Sequence, residues 1–298
     1  MPEKQVVLIT GSSGMLGSDL VKELTGKYEI LGMDLADRSR LESSSFLKAD
    51  ITKQEEVSRI ITNTRPGIVV HTAAWTDVDG CELDSKKAYS VNAAGTENVA
   101  MACSKAGAAM IYISTDFVFD GKKGSPYKEE DRPNPLSVYA DSKFKGEEAV
   151  KRLLKKYFIL RTSWLYGPNG NNFVDTIIAK AKENERLKVV DDQVGSPTYT
   201  ADLAVAIRTF IDIISSASAK VTPGIYHVSN SGSVSWYEYA NMILSIAGIS
   251  AKVDPISSDE LGRAAKRPAM SVLDCSKFTA LTGLNMRSWD SALRDYLL

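Results

Sequence analysis

Tyr139 and Lys143 stand four residues apart in the stretch V-Y-A-D-S-K. On a helix that spacing puts both side chains on one face. A free tyrosine titrates at about pH 10 and is a poor acid–base group at neutral pH. A neighbouring ammonium favours the phenolate and lowers that value. The pair therefore reads as a proton-transfer couple: Tyr139 protonates a carbonyl oxygen as hydride arrives at the carbon, and Lys143 also hydrogen-bonds a cofactor ribose. A bare pair of this spacing recurs by chance on helix surfaces. Here it follows the apolar run AMIYIS, which ends in Ser114-Thr115-Asp116. Side chains at such a strand end face a ligand crevice, where Thr115 offers its hydroxyl to the same oxygen and Asp116 meets the substrate. Taken alone, Thr115 reads equally well as a turn or cap residue.

The second cluster is T-G-S-S-G-M-L-G, with Gly11, Gly14 and Gly17 directly after the first apolar run. Glycines at these places permit a tight turn, close approach of backbone amides to a pyrophosphate, and close packing of the following helix. The helix N-terminus adds partial positive charge and free N–H groups. Ser13, Met15 and Leu16 complete the loop. About twenty residues on, Asp34 ends the second apolar run, where a carboxylate accepts from ribose hydroxyls and disfavours a 2′-phosphate. That predicts NAD(H) over NADP(H), unless Arg38 or Arg40 embraces the phosphate. Asp50, with Ile51 beside it, either bonds an adenine amino group or caps the next helix. Asn92, in V-N-A-A-G-T, either braces the cofactor site or is an ordinary polar helix residue.

These residues need a frame that brings them together. Short Val/Ile-rich runs at Gln5–Thr10, Tyr28–Asp34, Phe46–Ala49, Ile68–Thr72, Ala109–Ser114 and Tyr157–Arg161 read as strands. Met15–Thr25, Gln54–Asn63, Ser85–Lys105 as one long helix, and Leu136–Lys155 alternate with them. The alternation predicts an α/β, Rossmann-type, doubly wound parallel sheet over residues 1–163. After Trp164 the regularity breaks. Asp202–Ser215 reads as a helix and Ile225–Val228 as a strand, so 198–228 is expected to return to the sheet. Residues 164–197 and 229–298 are expected to form a smaller substrate-binding lobe.

Composition narrows the function classes. The net charge of −1 offers no general field for nucleic acid or an anionic membrane. No apolar run reaches spanning length, and the N-terminus lacks a signal-peptide core, so a cytoplasmic protein is expected. Three widely spaced cysteines and two histidines argue against a disulfide framework and a His-built metal site.

The stretches TGSSGMLG, HTAAWTDVD, VNAAGT, ISTDFVFDG, YADSKFKGE and RTSWLYG resemble the extended short-chain dehydrogenase/reductases. With VDDQVGSPTYTADLA, GIYHVSNSG and KRPAMSVLD, the resemblance extends over nearly the whole chain to the dTDP-4-dehydrorhamnose reductase family. Met270 departs from that pattern, which usually has a small polar residue there. The resemblance implies reduction of the 4-keto group of a dTDP-6-deoxy sugar by NAD(P)H, with Thr115, Tyr139 and Lys143 as the catalytic trio. It implies that Ala73, Ala74 and Thr76 line the cofactor, Trp164 faces the sugar, and Arg267 lies near the nucleotide pyrophosphate. Related 4,6-dehydratases carry Asp-Glu after the threonine, whereas Phe117 follows Asp116 here, which disfavours dehydration. Some family members bind Mg²⁺ between subunits, and folds of this type often form homodimers; the sequence locates neither. Two other readings stay open: a reductase or epimerase acting on another nucleotide sugar, and a non-catalytic regulatory subunit of a methionine adenosyltransferase.

Overall fold

The structure is a computed structural model describing residues 4–36, 45–216 and 221–298. The chain begins β1 (Val6–Thr10), α1 (Met15–Leu24), β2 (Glu29–Asp34), β3 (Phe46–Lys48), α2 (Gln54–Thr64), β4 (Ile68–His71), α3 (Val78–Leu83) and α4 (Ser85–Ala88). A π-helical segment, Tyr89–Gly95, joins α4 to α5 (Thr96–Ala106). Next come β5 (Ala109–Thr115), α6 (Val138–Leu153) and β6 (Tyr157–Thr162). The long helix expected over Ser85–Lys105 is thus present but widened by one π segment, a feature frequent at functional sites.

β7 (Leu165–Tyr166), α7 (Phe173–Glu183), β8 (Arg186–Val190), β9 (Val194–Gly195) and β10 (Thr198–Tyr199) then leave the sheet. The chain returns through α8 (Thr200–Ser215) and β11 (Gly224–His227), and leaves again through β12 (Val234–Ser235), α9 (Trp236–Ala247), β13 (Lys252–Ile256) and α10 (Ser258–Leu261). It ends with α11 (Ser276–Thr282) and α12 (Trp289–Leu297). The main sheet has the order β11-β6-β5-β4-β1-β2-β3, with every pairing parallel. The order reverses between β1 and β4, which opens a crevice at the carboxyl ends of those strands.

Strand pleating divides the core. Val7 and Ile9 join Leu20, Leu203, Ile207 and Phe210 on one face, while Leu8 joins Val57, Ile61, Val99 and Val150 on the other. A third cluster lies off the sheet, where Val174 and Ile177 pack with Leu187, Tyr239, Ile243, Val253 and Leu293. α8 belongs to the first cluster, packed against α1 and the sheet. Among the described residues no helix is long and apolar enough to cross a membrane.

Candidate active site

A cavity of about 960 Å³ opens at the carboxyl ends of the sheet and runs between the sheet and the third cluster. At one end lies the glycine loop. Gly11 has φ 70°, and a Cβ there would come within 2.7 Å of the Ala73 backbone nitrogen. A Cβ on Gly17 would collide with the Gly11 carbonyl, so α1 can pack this close only with glycine there. Gly14 caps α1 without a side-chain bond, and it lines the cavity with Ser13, Met15 and Leu16. Asp34 accepts from Ser13 N (2.9 Å) and Ala36 N (3.2 Å), which ties the end of β2 to the loop. Arg38 and Arg40 lie outside the described residues.

Asp50 accepts from Thr52 N (2.9 Å) and Thr52 Oγ1 (2.8 Å). It does not cap α2: the capping residue is Lys53, which makes no side-chain cap bond. Asp50 and Ile51 line the cavity instead, as do Ala73, Ala74 and Thr76 beyond β4. An open loop of backbone amides, an acid at the second strand's end and a long channel between them fit a dinucleotide.

At the other end, Thr115 ends β5 while Tyr139 and Lys143 sit one turn apart at the start of α6, and all three line the cavity with Asp116. The start of α6 is set by Ser137, whose hydroxyl accepts from Ala140 N, and by Glu82 of α3, which accepts from Val138 N (2.9 Å). The expected lowering of the Tyr139 phenol is not found in the free chain. Burial pushes its pKa up, and the neighbouring Asp116 adds to this, while Thr115 partly offsets it. Lys143 spends its ammonium on the Ile113 carbonyl (2.8 Å). Burial pushes Lys143 down to about 7, with Glu147 opposing. The free chain thus holds the tyrosine protonated, the state from which it donates. Burial also pushes Asp116 up to about 7, with Ser271 and Thr115 pulling the other way.

Asn92 is buried and does not line the cavity. Its amide clasps the Trp75 backbone from both sides (Oδ1 from N at 2.8 Å, Nδ2 to O at 3.0 Å) and donates to Ser142 Oγ at 3.1 Å. It thus joins the loop after β4 to the helix carrying Tyr139, the bracing arrangement. Arg267 does not line the cavity either. Its guanidinium grips Asp79 twice (3.0 and 2.8 Å), with Arg263 on the same carboxylate. Burial resists the charge on Asp79, but the two arginines hold its carboxyl well below the usual range. Trp164 lines the cavity with φ 47° and its indole stacked on Trp236.

Sequence reasoning missed several parts of this site. Arg161 and Glu147 are fully buried and form a two-pronged pair (2.8 and 2.7 Å), and Ser114 donates to the same carboxylate at 2.7 Å. Glu147 falls one turn beyond Lys143 on the same face, a signal available in YADSKFKGE; nothing in sequence links it to Arg161. Trp236 and Phe173 also line the wall, and no spacing pairs them with Trp164. Among the described residues no group of three or more His, Cys, Asp or Glu side chains is placed to hold a metal ion, so the Mg²⁺ suggested by resemblance has no residues to assign.

Residues 5–298 match the model of the RmlD substrate binding domain family. The chain is 40% identical to the spore coat polysaccharide biosynthesis protein SpsK of Bacillus subtilis, over 98% of this chain and 96% of that one. It is 40% identical to a dTDP-4-dehydrorhamnose reductase of Aggregatibacter actinomycetemcomitans, over 97% of each chain. Among solved structures, a dTDP-4-dehydrorhamnose reductase of Bacillus anthracis in complex with NADP superposes with a TM-score of 0.88 at 43% identity, covering 98% of both chains. Full-length agreement in sequence, together with the parallel sheet and the glycine loop, places this chain in the RmlD substrate-binding family.

Proposed function

We propose that the chain reduces the 4-keto group of a dTDP-6-deoxy sugar, converting dTDP-4-dehydrorhamnose to dTDP-L-rhamnose at the expense of NAD(P)H. The observation that carries this reading is the shared wall: Thr115, Tyr139 and Lys143 converge at one end of a channel whose other end is the glycine loop. Bound nicotinamide supplies hydride to the sugar carbon. Tyr139, protonated in the free chain, gives its phenolic proton to the carbonyl oxygen as charge develops there. Thr115 donates its hydroxyl to the same oxygen. Lys143 hydrogen-bonds the ribose, and its charge stabilises the phenolate left behind. A lone Asp116 followed by Phe117 offers no carboxyl pair for elimination of water. A charged nucleotide sugar does not cross membranes unaided, which supports a cytoplasmic location.

Asp34, placed to accept ribose hydroxyls, supports NADH as the preferred donor, whereas the Bacillus anthracis relative holds NADP. Asp34→Ala is expected to weaken NADH and improve NADPH, read as kcat/KM for each donor. A wild type that strongly prefers NADPH would shift the assignment to Arg38 or Arg40. The main test is loss of NAD(P)H absorbance on adding dTDP-4-dehydrorhamnose, with dTDP-L-rhamnose identified as product. Binding of NAD(P)H without turnover would favour the regulatory-subunit reading.

A further inference from the structure

Tyr112 lies in the middle of β5, fully buried, and the reaction proposed above makes no use of it. It meets Lys143 twice. The lysine ammonium sits over its ring, with Nζ 4.3 Å from the centroid. Its hydroxyl donates to the Lys143 backbone carbonyl at 3.1 Å. The second contact needs close approach of α6 to β5, and Gly146 permits it: a Cβ there would come within 2.5 Å of the Tyr112 hydroxyl. The ring is held in turn by the imidazole of His71, stacked beside it with centroids 5.6 Å apart. That imidazole is itself bonded to Thr10 (2.6 Å) and Thr96 (3.1 Å). The place of Tyr112 is therefore set from β1, β4 and α5 together.

The ammonium of Lys143 gives one of its three donors to the Ile113 carbonyl at 2.8 Å. The titratable groups that share this end of the cavity, or the interior behind it, are Tyr139 and Glu147 on α6, His71 of β4 and Asp116 beyond β5. Glu147 favours the lysine's charge but is bound to Arg161 of β6 and to Ser114. Burial holds His71 down at about 3, so it stays neutral. Burial also works against the charge on Lys143. The negative face of an aromatic ring works for it, and does so most strongly where water is excluded.

We propose that Tyr112 is a positioning residue for Lys143: its ring face seats the ammonium in the charged form, and its hydroxyl fixes the turn of α6 that carries it. The inference rests on the function proposed above, in which that charge stabilises the Tyr139 phenolate.

The test keeps the shape of the ring and changes its charge distribution. Tyr112→Phe removes the hydroxyl and keeps the face. The same replacement made with a trifluorinated phenylalanine also strips the face of its negative potential. Lys143 is titrated by NMR on lysine-labelled protein, and kcat/KM for the keto sugar is followed against pH. A weaker face lets the ammonium lose its proton at lower pH. A desolvated contact of ordinary strength predicts that Lys143 in the fluorinated variant titrates about one pH unit below that in Tyr112→Phe. The alkaline limb of kcat/KM should move down with it, while Tyr112→Phe stays within about half a unit of the wild type. A fluorinated variant that matches Tyr112→Phe in both readings overturns the proposal, whatever either replacement does to the melting temperature. So does a shift already complete in Tyr112→Phe, since the ring face would then contribute nothing. If the wild type does not reduce the keto sugar, the function reading fails; the NMR titration needs no turnover and still decides the role of Tyr112.

Discussion

Burial sets the protonation states of the three titratable groups at the reacting end. Tyr139 keeps its proton because the phenolate would be desolvated, and Lys143 is brought down to about 7 for the same reason. Removing only the phenolic hydroxyl, with Tyr139→Phe, should cut turnover by about 10²–10⁴-fold, the usual contribution of a positioned acid, while cofactor titration gives an unchanged dissociation constant. Asp116 provides a pH signature. Its carboxyl is raised to about 7 in the folded chain from an ordinary 3.8, so between those values the folded state holds a proton that the unfolded state has lost. Stability from this group is complete at low pH and is lost as pH rises towards 7. Asp116→Asn should therefore raise the melting temperature more at pH 8 than at pH 5. A uniform shift at both would show that the carboxyl titrates normally.

Elements place these groups, and much of that placement was legible in the sequence. The strands ending at Asp34, His71 and Thr115 were visible as apolar runs bounded by polar residues, and each ends where the reading put it, within about a residue or two. What stayed hidden was the coupling between elements. Glu147 of α6 and Arg161 of β6 bond in the interior, and Ser114 of β5 joins them, so one buried pair fixes three elements under the reacting end. Local propensity carries no trace of such a pair, because each partner alone reads as a surface charge. Glu147→Gln leaves Arg161 charged and unmatched in the core. It should cost about 3–5 kcal/mol, read as a fall in the urea midpoint with an unchanged slope. The π segment was likewise invisible, since Tyr89–Gly95 carries no sequence mark that separates it from the helix on either side.

Across the whole molecule, the C-terminal loop is tied to the first half through Asp79. The family resemblance put Arg267 near the nucleotide's phosphates. In the structure its guanidinium is paired with Asp79. Spacing along the chain could not reveal this, since the two residues meet only after the lobe has folded back. Arg267→Ala should therefore change the affinity for dTDP by less than about twofold at fixed salt, because its fork is already engaged by Asp79 and must leave that carboxylate to meet a phosphate. A loss of tenfold would mean that the pair opens to receive the phosphates.

The return of the chain to the sheet has a further consequence for synthesis. β11 closes the edge of β6, with Val228 N donating to the Arg161 carbonyl at 2.9 Å, but it is made only after β7 to β10, α7 and α8. On the ribosome, β6 therefore waits with an unpaired edge of apolar residues, Phe158 to Leu160, while the intervening segments emerge. Exposed edges of this kind recruit foreign strands, and late, long-range pairings fold slowly. Nascent chains stalled before Gly224 should thus be the species that chaperones hold and that aggregates collect.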